Sequence, residues 1–184
     1  MKPLKVFLCH SSGDKPEVKK LYDVLLARGM DPWLDSEKLL PGQDWNLEIN
    51  KALDASDVIV LCLSQKSVDK EGYVQREIRI AIDRALEMPE GRIFLIPARL
   101  EECELPYKIR TYQWVDLFSE EGMVKLMKSL NLRATQVEAQ AVDSDGEIKA
   151  IKKPTGQAQG NSINIQGNVS GSNIVIGNNN NVNN

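Results

Sequence analysis

Short apolar runs alternate along this chain with longer stretches whose apolar residues recur three and four apart. Residues 4–9 (LKVFLC), 57–63 (DVIVLCL) and 92–96 (RIFLI) are compact, rich in β-branched residues and bounded by polar turns, which predicts buried strands. Residues 31–34 and 113–117 (QWVDL) predict two briefer strands, Pro32 suggesting a sheet edge for the first. Helical spacing marks residues 17–28, where Val18, Leu21, Tyr22, Leu25 and Leu26 share one side, and residues 45–55, 67–83 and 120–130. Pro16 suits a first helical turn and Gly29 a C′ position. Strand and helix alternate with crossovers long enough for parallel pairing, so the expected fold is α/β, a doubly wound parallel sheet of five strands.

Composition narrows the partners. The chain has 184 residues and a net charge of −3. Its charges are mixed, with no basic stripe to follow a phosphate backbone, so nucleic acid is not an expected partner. No apolar run reaches the ~18 residues of a membrane span, and the apolar part of the N-terminus is too short for a signal peptide. Cys9 and Cys62 fall inside predicted strands and read as small core residues in a reducing compartment; the expected location is cytoplasmic. With one histidine, His10, and no two of the three cysteines close together, no metal site is expected.

Ligands of an open parallel sheet bind beyond the carboxyl ends of its strands. Glu77 lies early in the amphipathic stretch that follows residues 57–64, within reach of such an end. From spacing alone its plainer reading is a solvated glutamate between two arginines, Arg76 and Arg79. There is no GxGxxG after the first strand, no GxxxxGK[ST], and no aspartate at the end of the third strand, which stops at Leu63 and Ser64. Dinucleotide cradles, triphosphate loops and phospho-accepting receivers therefore drop out.

Three motifs in order carry a resemblance: KVFLCHSSGDK at residues 5–15, PWLDSEKLLPGQDW at 32–45, and LSQKSVDKEGYVQRE at 63–77. Together they resemble a bacterial TIR (Toll/interleukin-1 receptor) domain with a flavodoxin-like sheet, the second motif matching the BB loop at residues 35–44. Many such domains cleave NAD⁺ between nicotinamide and ribose with one essential glutamate. The resemblance puts that catalytic role on Glu77, with NAD⁺ as substrate and no cofactor. It implies substrate contacts for Ser11 and Ser12, which also suit a turn, and for Glu37 in the BB loop, whose plainer reading is a solvated charge. Tyr73 stands where a tryptophan often stacks on the substrate, a departure that keeps an aromatic face. Trp33 reads as core, Asp35 as a turn former, and His10 as a hydrogen-bonded loop residue. The resemblance also implies self-association through the BB loop, and it leaves open a non-enzymatic adaptor.

Composition shifts after the TIR-like part, expected at residues 1–132. Residues 133–160 are polar and read as a flexible linker. In residues 161–184, ten of 24 positions are Asn, and Ile163/Ile165 and Ile174/Ile176 alternate with small polar residues. That is the pattern of a cross-β stacking segment. Residues 174–179 (IVIGNN) resemble the core of RHIM-type and bacterial amyloid signalling motifs, with Val175 where glutamine is usual. This implies assembly through the tail, templated by a receptor with a matching motif, as in anti-phage or cell-death signalling.

Overall fold

The structure, a computed structural model, describes residues 1–68, 76–87, 95–140 and 150–151, the side chains of residues 76–77 and 84–86 excepted. Five strands, β1 (Lys5–Cys9), β2 (Asp31–Trp33), β3 (Val58–Leu63), β4 (Leu95–Arg99) and β5 (Val115–Asp116), form one sheet in the order β2-β1-β3-β4-β5. Every pairing is parallel. The helices are α1 (Lys15–Ala27), α2 (Asp35–Lys38), α3 (Trp45–Ala55), α4 (Arg76–Leu86) and α5 (Glu120–Gln136). This is the doubly wound, flavodoxin-like order, with its switch point between β1 and β3.

Both faces of the sheet are covered, which is why its central strands read as unbroken apolar runs. Val6, Leu8, Val58, Val60, Cys62, Ile96 and Ala98 point into a core shared with α1 and α5. Phe7, Cys9, Ile59, Leu61, Leu63 and Leu95 alternate with them and pack with α3 and α4 through Ile49, Leu53, Ile78, Ala81 and Ile82. The end of α1 follows from Gly29 at φ +78: Gly29 N–H bonds Leu26 O and Met30 N–H bonds Leu25 O, closing a Schellman motif over the buried pair Leu25 and Met30.

Several expected boundaries move. Strand β4 is described from Leu95, the expected residues 92–94 lying outside the described residues, and it runs past the expected end at Ile96, so Pro97 lies inside it opposite Leu61. Strand β5 reaches only Ala98 and Arg99, so at Pro97 the sheet is paired on the β3 side alone, an edge-like position that tolerates a missing N–H. Helix α4 is described from Arg76, and the expected residues 69–75 before it lie outside the described residues. The loop expected at residues 35–44 begins with the single turn α2.

Helix α5 runs on to Gln136, so the expected linker at residues 133–160 begins inside a helix. The apolar stripe of Met123, Leu126, Met127 and Leu130 continues through buried Ala134. Arg133 is buried too, its Nε donating to Asp57 O at 2.7 Å. Beyond the helix, Gln140 N–H bonds Lys2 O, and Ile151, only 3% exposed, donates its N–H to Leu117 O at 2.7 Å. The chain divides between Pro154 and Thr155, and the tail at 161–184 lies outside the described residues.

Candidate active site

The carboxyl ends of β1 and β2 open onto a cleft of about 100 Å³ lined by Phe7, Leu8, Cys9, His10, Ser12, Trp33, Asp35, Trp45 and Ile49. Sequence places each wall. Strand β1 alternates Phe7 and Cys9 toward the α3–α4 side, and Trp33 on the neighbouring strand stacks on Phe7 with ring centroids 4.8 Å apart and planes 10° off parallel. Asp44 caps α3 by accepting from Leu47 N–H, which sets Trp45 and, one turn on, Ile49 along the opposite wall. Between these walls, Pro41 and Gly42 (φ +91) turn the chain with a Leu40 O to Gln43 N–H bond, the pattern of a type II turn. Gln43 Oε1 accepts from Leu40 N–H and closes the same turn from the other side.

The rim is held electrostatically. His10 Nδ1 lies 2.7 Å from Ser11 O and its Nε2 3.2 Å from Asp35 Oδ1. The ring thus bridges the Ser11 carbonyl and the Asp35 carboxylate. Asp35 also meets Lys15 Nζ at 3.0 Å and accepts from Ser36 N–H at 2.7 Å. Hydrogen bonds from His10 first, then from Lys15 and Ser36, hold the Asp35 carboxyl well below the usual carboxylate range, against the opposing pull of partial burial.

A second network lies behind the β1 loop. Asp14, fully buried, accepts from Ser64 Oγ at 2.8 Å, joining the start of α1 to the end of β3. Ser64 N–H donates to Ser67 Oγ, and Ser67 Oγ donates back to Ser64 O. The chain leaving β3 toward α4 is thereby fixed at its first turn.

Of the residues singled out in the sequence, Ser12 lines the cleft and is exposed. Ser11 is buried and engaged through its carbonyl by His10 and by Asp14 N–H. Glu37 is absent from the cleft's described lining; it pairs with Lys19 Nζ at 3.1 Å, on the surface of α1. Glu77 is the second residue of α4, and its side chain, like all of Tyr73, lies outside the described residues. Trp33, expected in the core, is half-buried and serves both core and cleft. Asp35 and Trp45 join the site without having been singled out for it by the sequence. Asp35 has a legible signal in its position directly after a strand, whereas Trp45 shows itself only once the BB-loop turn brings α3 around.

The sequence pattern of the TIR domain family matches residues 6–127. A 114-residue stretch is 31% identical to the uncharacterized protein y4cD of Sinorhizobium fredii, covering 61% of this chain and 18% of that protein. The chain thus spans less than a fifth of that relative's length. Among solved structures, the fold is similar to a prokaryotic SEFIR domain (TM-score 0.51, 20% identity, 71% of this chain and 97% of that one). It is similar to the TIR domain of the Toll-related receptor TRR-2 from Hydra magnipapillata (0.50, 16%, 72% and 95%) and to a metazoan TIR-STING receptor from C. gigas (0.51, 20%, 61% and 34%). At these identities the likeness is one of fold.

Proposed function

We propose that this chain, which belongs to the TIR domain family, cleaves NAD⁺ between nicotinamide and ribose, with Glu77 as the essential carboxylate. The observation that carries the reading is the cleft at the β1 end of the switch point. Its floor residues Phe7, Cys9 and Ile49 share one core cluster with Ile78, the neighbour of Glu77. Nicotinamide is already cationic in NAD⁺ and leaves neutral, so bond breaking needs no general acid, unlike ordinary glycoside hydrolysis. Positive charge then builds on the ribose, and a carboxylate held against it in a water-poor cleft lowers that barrier. Water attack gives ADP-ribose; attack by an atom of the adenine gives a cyclic isomer.

The cleft's size says how much it holds. A cavity of about 150 Å³ accommodates benzene, so about 100 Å³ offers room for part of one ring in a cleft whose lining includes Trp33 and Trp45. The rest of a dinucleotide extends over the rim, where contact with a second copy through the BB loop would complete the site. Leu40, Trp45 and Leu47, at 68%, 37% and 52% exposure, ring the BB-loop turn and supply an apolar contact for that copy. Tail stacking then raises the local concentration of TIR domains to the ~mM range of short tethers and switches cleavage on. The same exposed apolar ring favours the second reading, an adaptor that recruits partners without chemistry. Nicotinamide release from NAD⁺, followed by chromatography, separates the two: turnover that disappears in Glu77→Ala supports the enzyme, and turnover that survives it removes Glu77 from the mechanism.

A further inference from the structure

Beyond the carboxyl end of β4, along the connection to the start of β5, lies a second, larger cavity of about 440 Å³, lined by Arg99, Cys103, Glu104, Leu105, Arg110 and Trp114. Its volume falls in the range of small-molecule sites. Arg99, the last residue of β4, is pinned on three sides. Its Nε donates to Asp116 Oδ1 at 2.6 Å, its Nη1 to Cys103 O at 3.1 Å, and its Cζ sits 5.4 Å from the centre of the Trp114 ring. Arg110 is anchored at its base by a 2.9 Å bond from Nε to Leu105 O. Its outer contact, Glu104 at 3.4 Å, is long and involves a carboxylate 89% exposed, a pair of little strength that a ligand can displace. Trp114 keeps 42% of its surface open, although it sits beside a buried strand residue, Val115. Burial pushes the Cys103 thiol up to about 11, so at neutral pH it is an uncharged wall and no nucleophile.

The lining holds one indole, a leucine, a neutral thiol, the carboxylate of Glu104 and two guanidiniums, Arg99 paired with Asp116 and Arg110 only loosely with Glu104; with Glu104 displaced toward solvent, it suits a flat ring carrying a single anionic group. The ring stacks on Trp114, and a guanidinium fork receives the phosphate or carboxylate. We propose that this cavity is a second ligand site, separate from the cleft at β1, for a planar aromatic anion of the nucleoside monophosphate class. The proposal goes beyond NAD⁺ cleavage and stands or falls without it.

The test uses the full chain with AMP as the probe, titrated while the Trp114 indole N–H resonance is followed by NMR, with adenosine and inorganic phosphate as separate arms. Saturable movement of that resonance by AMP, with weaker binding of adenosine and of phosphate, is the expected result. Trp114→Ala and Arg110→Gln, followed by calorimetry, each weaken AMP by about tenfold, the scale of one stacking or charge-assisted contact, while Trp114→Phe retains binding. Both residues are exposed, so these variants keep the fold. No saturable movement at Trp114, movement of Trp33 and Trp45 alone, or unchanged affinity in both variants overturns the proposal.

Discussion

His10 is one side chain, yet it decides where the rim of the cleft sits. Its two ring nitrogens tie the end of β1 to Asp35, the first residue of the BB loop, and Lys15 adds a third tie from α1. Because the folded pKa of Asp35 is depressed, its contribution to stability is complete above the ordinary aspartate value of about 4. It is lost as the pH falls through the lower folded value. Asp35→Asn is therefore expected to lower stability at pH 7 by roughly 1–2 kcal/mol, allowing for partial solvent screening. The deficit shrinks as urea melts are repeated below pH 4; a pH-independent deficit contradicts the assignment. In the sequence, Asp35 reads as a turn former and His10 as merely hydrogen-bonded. The second reading holds, and the first misses the link because residues 25 apart meet only through the β1–β2 pairing. Glu37, whose plainer reading is a solvated charge, follows that reading: one turn of helix directs it to Lys19 on the surface of α1.

At the scale of elements, period is legible and endpoints are not. Strand β3 can be read from VIVLCL because both of its faces are buried, so no polar alternation interrupts it. Strand β4 reads short at Pro97, since a proline normally ends a strand and only the missing β5 partner at that position lets it continue. Helix α5 reads short because polar residues take over after Leu130, while its apolar stripe persists to Ala134 and partly buried Val137. The start of that helix is equally constrained. Ser119 Oγ caps it by accepting from Gly122 N–H, and a Cβ on Gly122 meets the backbone carbonyl of Asp116. Gly122→Ala must displace backbone and not a flexible side chain. The expected cost is roughly 2–3 kcal/mol, or a fall in Tm of roughly 4–12 °C by calorimetry. An unchanged Tm contradicts the close approach of α5 to β5.

Over the whole molecule, the domain extends past the boundary that composition suggests. Ile151, beyond α5, is buried in the α1–α5 core and donates its N–H to Leu117 O, so it packs with the domain. Burying one isoleucine and making one hydrogen bond, less the ordering entropy, amounts to roughly 1–3 kcal/mol. A chain ending at Gln140 is thus expected to unfold at lower urea than one ending at Pro154; equal midpoints contradict the docking. Among the described residues no helix is long and apolar enough to cross a membrane. In the proposed function, assembly through the tail switches on cleavage of NAD⁺ by Glu77. It is tested most directly by nicotinamide release at high protein concentration from three proteins, the whole chain, Glu77→Ala, and a chain ending at Lys153. The expected result is turnover by the whole chain, loss in Glu77→Ala by roughly 10²–10³-fold, the scale of removing one group that stabilises transition-state charge, and weakened turnover in the shortened chain. Turnover that persists in Glu77→Ala, or no turnover by the whole chain once its tail is assembled into fibres, contradicts it.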